Sequence, residues 1–138
     1  MEELIDICNV LMSAKVIAVV GISDNPNKPS REIAEKLAQS GYKVYGVNPN
    51  IESFDGIKVY PSLLDIPEKI DIVDVFRRSD HIPDHISDIL AVKPKTLWLQ
   101  QGIRNDMATK PAEEAGINVI QDKCIAVYYN LCQSTNKK

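Results

Sequence analysis

Five consecutive apolar residues, Val16-Ile17-Ala18-Val19-Val20, carry no charge and stop at Gly21. A short β-branched run of this kind suits a strand buried on both faces, the environment that a parallel sheet creates. The next thirty residues narrow the choice further. A loop rich in Asn and Pro leads to Ser30, a helical pattern runs from Arg31 to Ser40, and a second strand pattern from Tyr42 to Val47 ends at Asn48-Pro49. Strand, glycine turn, helix and strand make a βαβ unit, whose first turn aims backbone N–H groups at whatever lies above the sheet. The expectation is that a phosphate-bearing cofactor sits there.

The rest of the chain keeps the alternation. Residues 2 to 13 place Leu4, Ile5, Cys8, Leu11 and Met12 on one helical stripe, with Glu2, Glu3 and Asp6 suited to the helix's positive end. In the second helix Ser30 is the expected N-cap, Ile33, Ala34, Leu37 and Ala38 the inner face, and Gly41 the C′ residue. Residues 50 to 69 hold no long periodic pattern; Asp55-Gly56 reads as a turn, and Tyr60-Pro61-Ser62 as the start of a short helix. A strand from Ile70 to Phe76 contains Asp71 and Asp74, which place it nearer an edge than Val16–Val20. A helix begun by Pro83 carries Ile86, Ile89 and Leu90, and a strand from Thr96 to Leu99 ends in Gln100-Gln101-Gly102. Pro111 either kinks the next helix or marks its start, Gly116 closes it, and Ile117 to Ile120 is the last strand. Residues 124 to 133 make a final helical turn or two, and residues 134–138 fray. The pattern predicts a single α/β domain over 1–138, a Rossmann-like three-layer α/β/α sandwich around a parallel sheet of about five strands. Its crevice is expected above the carboxyl ends of Val16–Val20 and Thr96–Leu99.

A chain of 138 residues, 44% hydrophobic and 25% charged, has the bulk of one globular domain. Its formal net charge of −3 argues against a nucleic-acid partner. No apolar run nears the roughly 20 residues that span a bilayer, and the acidic start Met1-Glu2-Glu3 is unlike a signal peptide. Cys8, Cys124 and Cys132 are too few and too scattered for a disulfide framework or a zinc cluster, which makes a reduced cytoplasm the default.

In such a sheet, ligands bind outside the carboxyl ends of the strands. Those ends read Gly21-Ile22-Ser23, Val47-Asn48-Pro49, Phe76-Arg77-Arg78, Leu99-Gln100-Gln101-Gly102 and Gln121-Asp122-Lys123-Cys124. A dinucleotide fingerprint needs three spaced glycines after the first strand and a carboxylate at the end of the second. Only Gly21 is present, and no acid appears until Glu52, so a NAD-type or flavin cofactor is disfavoured. No lysine-bearing phosphate loop is present either, which removes support for nucleotide hydrolysis.

The ordered set Val20-Gly21-Ile22-Ser23, Lys28-Pro29-Ser30, Val47-Asn48-Pro49, Tyr60-Pro61-Ser62-Leu63, Asp74-Val75-Phe76-Arg77-Arg78, Trp98-Leu99-Gln100-Gln101-Gly102 and Asp122-Lys123-Cys124 resembles the small stand-alone CoA-binding domain proteins. These are similar in turn to the N-terminal domain of the succinyl-CoA synthetase α subunit. The resemblance runs from about Lys15 to Cys124 and implies coenzyme A held across the strand tips. It places Gly21, Ile22 and Ser23 at the phosphate-bearing part, Val47, Asn48 and Pro49 along the nucleotide, and Val75, Phe76 and Arg77 as the opposite wall. Lys28, Ser30, Arg31, Gln101 and Gly102 complete the expected binding set, with guanidinium groups suited to bidentate phosphate contacts. The chain departs from the synthetase pattern at Asn50-Ile51-Glu52, where glycines and a lysine would follow, and from the pattern of close relatives at Lys123 and at Tyr128-Tyr129-Asn130, where an Arg and an acidic-histidine pair are usual. The synthetase's catalytic histidine belongs to another domain, so ligase chemistry is not implied.

His81 and His85, with Asp80, Asp84 and Asp88 nearby, have metal-like spacing, but Pro83 between them favours two surface residues. Cys124, beside Lys123 near a helix start, is where a thiol-dependent or acyl-transferring enzyme would hide; the competing assignment is a small apolar side chain, as for Cys8. Trp98 is read as core. The preferred expectation is a non-catalytic cytoplasmic domain that binds coenzyme A or an acyl-CoA in a regulatory or carrier role, with a protein partner open. A Cys124 enzyme, a NAD-type binder and an interaction module with a vestigial cleft are the alternatives.

Overall fold

A computed structural model describes residues 2–54 and 56–136. Its six parallel strands are β1 (Val16–Val20), β2 (Lys43–Val47), β3 (Lys58–Tyr60), β4 (Ile72–Val75), β5 (Thr96–Leu99) and β6 (Asn118–Ile120), in the order β3-β2-β1-β4-β5-β6. Helices α1 (Glu2–Ser13), α2 (Pro29–Gln39) and α5 (Ile125–Asn136) cover one face, and α3 (Pro83–Val92) and α4 (Asp106–Glu114) the other. Strand β1 is buried at every residue. Its side chains alternate, Ile17 and Val19 joining the first face's core and Ala18 and Val20 the second's. The α/β sandwich expected from the sequence is present, with one more strand.

That extra strand is β3, three residues long and therefore too short to show a period. It pairs with β2 and places Tyr60 opposite Val47. The expected turn before it has Gly56 at φ +82, beside an antiparallel bridge of Phe54 with Ile57; Asp55 lies outside the described residues. Ser62 caps the short helical turn Leu63–Asp65 by accepting from Leu64 N.

Several expectations need correction. Strand β4 is interior, flanked by β1 and β5, and the two aspartates of the predicted run, Asp71 just before β4 and Asp74 within it, are accommodated by hydrogen bonds from neighbouring segments. Asp71 accepts from Lys15 N and Val16 N at 2.8 and 2.9 Å, pinning the start of β1. Asp74 is fully buried, with Gln100 Nε2 donating to Oδ1 and Oδ2 left without a partner. The switch in sheet direction therefore falls between β1 and β4, one strand nearer the centre than Thr96–Leu99. Helix α1 buries Ile7 and Leu11 and exposes Ile5 and Met12, a rotation of the predicted stripe set by α5 packing beside it. In α2, Lys28 is the N-cap and Pro29 opens the helix, leaving Ser30 inside the first turn. Pro111 lies within α4, whose true start is capped by Asn105 accepting from Ala108 N.

Helix α5 is longer than expected and reaches Asn136; residues 137–138 lie outside the described residues. It runs alongside α1, and Cys8 and Cys132 form a disulfide with Cα atoms 5.4 Å apart. Cys8 is thus half of a cross-link and not a lone apolar side chain. No local pattern pointed to this pair, since 124 residues separate the two and only the packing of the terminal helices makes them neighbours. Cys124 is free. Trp98 is fully buried and donates from Nε1 to Lys123 O at 2.8 Å, so it is core. No helix among the described residues is long and apolar enough to cross a membrane.

Candidate functional site

The crossovers from β1 and from β4 leave in opposite directions along the sheet, and an open α/β sheet has its ligand crevice at that point. A cleft of about 250 Å³ lies there. Val20 and Gly21 come from β1 and its exit, Val47, Asn48 and Pro49 from β2, and Pro61, Ser62 and Leu63 from the turn after β3. Arg77 follows β4, and α3 adds Asp84, His85 and Asp88. A hollow of about 370 Å³ between α1 and the amino ends of β4 to β6 is larger, but lies at the end of the sheet where the strand geometry gathers no ligand groups.

Gly21 has φ +83, a conformation costly for any residue with a side chain. A Cβ there would lie 2.5 Å from Phe76 O and 2.8 Å from Arg77 Cδ. The glycine thus lets the exits of β1 and β4 touch, quite apart from any ligand. Its N–H donates to Val47 O at 2.9 Å. Ile22 is fully buried and packs over Gly46, where a Cβ would meet its Cγ2 at 2.8 Å; its side chain is core, not lining.

The loop from Ser23 to Lys28 is fixed from within. Ser23 N donates to Ser30 Oγ at 3.0 Å, and Asn25 N donates to Ser23 Oγ at 3.0 Å. Both predicted hydroxyls therefore hold the loop against the start of α2. Arg31 is buried, donates to Glu35 Oε2 at 3.1 Å and to Asp24 O, and lies 4.2 Å from the centre of the Phe54 ring. Its guanidinium is engaged inside the protein, whereas Lys28 is exposed. At the end of β2, Asn48 donates from Nδ2 to Ile22 O and accepts from Asn50 N, both at 2.8 Å. It ties the first two strand tips together, leaving Pro49 as the exposed rim.

Of the predicted cations, Arg77 alone lines the cleft. It is exposed and donates from Nε to His85 Nε2 at 3.4 Å. Arg78 turns away to Asp80 and His81. Burial, then the nearby Arg77 charge, push the His85 imidazole below its ordinary range; Asp84 and Asp88 pull the other way, and His81 adds to the lowering. Ser62 Oγ donates to Asp88 Oδ2 at 3.3 Å and so fixes that carboxylate at the cleft wall. The expectation of His85 as a plain surface residue is corrected here. Pro83 does open α3, but the helix follows the strand exit so closely that its first turn forms a wall of the cleft.

Among the remaining predicted residues, Val75 is buried beneath the cleft and Phe76 is half-buried against the core of the other face. Gln101 and Gly102 are exposed at the exit of β5, apart from the cleft lining, and Gly102 N donates to Asp122 Oδ1 at 2.6 Å. The structure thus gathers Gly21, Val47, Asn48, Pro49 and Arg77 around one cavity, with Ile22, Ser23, Ser30 and Arg31 as its scaffold. Pro61, Leu63, Asp84, His85 and Asp88 are lining residues that sequence reasoning did not single out as a site.

Comparison with known proteins matches the CoA binding domain family over residues 15–130. An uncharacterized protein of Bacillus subtilis, YneT, is 39% identical over 122 residues, covering 88% of this chain and 90% of its own length. The ADP-forming acetate–CoA ligase I of Archaeoglobus fulgidus is 32% identical over 127 residues; the match covers 85% of this chain but 18% of the ligase. A solved structure from Thermus thermophilus superposes with a TM-score of 0.89 at 37% identity, covering 94% of this chain and 98% of that one. The chain belongs to the CoA binding domain family.

Proposed function

From that membership we propose that the chain binds coenzyme A, or an acyl form of it, in the cleft between the tips of β1, β2 and β4, as a binding domain and not as a catalyst. The observation that carries this reading is one exposed guanidinium, Arg77, beside the exit of β1 at Gly21, in a cleft whose β2 tip ends in Asn48 and not in a carboxylate. A carboxylate there would grip an unmodified ribose diol, the mark of NAD-type sites, and would repel a phosphate on that sugar. Coenzyme A carries such a phosphate. The names of the ADP-forming acetate–CoA ligases that share this domain support the same ligand.

The cleft is smaller than the roughly 300–1,000 Å³ usual for a whole drug-sized ligand, so it takes part of the molecule and the remainder lies over the surface. In this assignment the turn Gly21-Ile22-Ser23 meets the diphosphate through the Ile22 N–H, since those of Gly21 and Ser23 are held by Val47 O and Ser30 Oγ, with Ser30 and Arg31 keeping that loop rigid. Arg77 and Lys28 supply charge. Val47, Asn48 and Pro49 flank the nucleotide, Val75 and Phe76 back the cleft, and Gln101 and Gly102 border the far side of the strand tips.

Thermal melting with coenzyme A, dephospho-coenzyme A and NAD tests the reading. Coenzyme A at about 100 times its Kd stabilises the protein by about 2.7 kcal/mol if it binds only the folded state. Dephospho-coenzyme A is expected to stabilise less. Stabilisation by NAD and not by coenzyme A would overturn the proposal.

A further inference from the structure

We infer that Arg77 and His85 act as a proton-coupled phosphate clamp: an arriving phosphate group draws the guanidinium from the imidazole, and the imidazole takes up a proton from solvent. The inference rests on the cleft being the coenzyme A site and adds how that site responds to pH. His85 is outside the set that the sequence assigned to the ligand.

The geometry sets up a competition. In the free protein Arg77 donates from Nε to His85 Nε2, so that nitrogen is an acceptor and the ring is neutral, with its proton on Nδ1. Protonating Nε2 there would remove the acceptor and set two cations side by side. Both groups line the same cleft. A phosphate next to Arg77 offers the guanidinium a charged, bidentate acceptor in place of one long contact to a neutral ring. The cation beside the ring is then neutralised, the acceptor nitrogen is vacated, and a protonated Nε2 becomes a second donor for the same anion.

The charges around the ring fix the sign. Arg77 approaches from the exit of β4, His81 from the turn before α3, and Asp84 and Asp88 lie on α3 itself. The cleft residues from β1, β2 and the turn after β3, namely Gly21, Asn48, Pro49 and Ser62, bring no charge. In the free protein, burial and Arg77 outweigh the two carboxylates and hold His85 below its ordinary range. Once a phosphate cancels Arg77, the carboxylates and the ligand all favour the imidazolium. The folded, ligated state therefore binds more protons than the free state. By linkage, affinity rises as pH falls through the window bounded above by the ligated pKa and below by the free one.

The test is calorimetric binding of dephospho-coenzyme A and coenzyme A between pH 5.5 and 7.5, in buffers of different ionisation enthalpy. Dephospho-coenzyme A is the main probe because its diphosphate diester does not itself titrate in that range. Wild-type protein should take up a fraction of a proton on binding, with affinity rising severalfold per pH unit toward acid, up to a limit of about tenfold for one proton. His85→Gln should bind with no such uptake and a flat profile. A second readout needs no ligand: in Arg77→Ala the His85 ring, followed by NMR, should titrate at higher pH than in the wild type. Binding without proton uptake in the wild type, equal uptake in His85→Gln, or an unmoved His85 titration in Arg77→Ala would each overturn the clamp and leave the coenzyme A site standing. Absence of binding by either ligand to the wild type would overturn the site, and the clamp with it.

Discussion

The two faces of the sheet are built by different means. On the α1, α2 and α5 face, apolar packing is cross-linked by specific contacts. These are the Cys8–Cys132 disulfide, the edge-to-face pairs Tyr42–Tyr129 and Trp98–Tyr128, Arg31 over Phe54, and the buried Asp74–Gln100 pair. On the α3 and α4 face the buried cluster from Ala18 and Val20 to Ile89, Leu99 and Ile117 is aliphatic, with buried Thr109 and the Tyr45–Tyr60 ring pair at its margins. Its charged groups are displaced to the rim, where Arg77, Asp84, His85 and Asp88 line the cleft. An aliphatic wall specifies volume and little else. It leaves the polar groups above it free to serve a ligand, while the opposite face uses its polar groups to fix its own geometry.

The sharpest way to break the contrast is to cut the disulfide. Closing a loop of this length restricts the unfolded chain, and its loss in the Cys8→Ser, Cys132→Ser double variant should cost about 3–5 kcal/mol in denaturant unfolding. The cleft, on the other face, should keep its coenzyme A affinity. A loss of affinity that matches the loss of stability would show that the faces are not independent.

Asp74 is the next largest effect and has an unusual sign. Burial pushes its carboxyl up to about 8, against 3.8 for an open chain, with the Gln100 hydrogen bond opposing. The folded state holds the proton, while the unfolded state releases it above roughly pH 4. Stability contributed by this group is therefore greatest in acid and is lost as pH rises from about 4 to about 8. Replacing the acid by a neutral amide, Asp74→Asn, should raise stability at pH 7 by about 2 kcal/mol and flatten that part of the pH profile. A parallel pH dependence in both proteins, followed by thermal melting, would remove Asp74 as its source.

The smallest effect compares one residue type across the two faces. Arg31→Ala loses a buried hydrogen-bonded guanidinium and its ring contact, and should cost about 1–2 kcal/mol. Arg77→Ala, exposed at the rim, should cost less than about 0.5 kcal/mol while reducing coenzyme A affinity. Equal destabilisation by the two would mean that Arg77 is structural.

The strand tips are legible in the sequence because each lies directly after a buried run, and a run reports its own burial through its period. Gly21, Val47, Asn48, Pro49 and Arg77 are found that way and do share one cavity. Arg31 shows where that logic ends. Its position at the start of α2 is readable, but whether its guanidinium faces a ligand or Asp24, Glu35 and Phe54 is not. Gly21 offers the same lesson in reverse, since the glycine suited to an approaching anion is equally required by Phe76 O.

By itself, the order of apolar runs, turns and helical stripes determined the layer architecture and the end of the sheet where a ligand would sit. The packing of distant segments decided the rest: the three-residue β3, the Cys8–Cys132 bond, the proton on Asp74, and the contact of His85 with Arg77. The reason is one of range. Periodicity records which face of a single element avoids water, whereas a bond, a desolvated charge or a cavity wall depends on which other element arrives opposite, and no local pattern records that.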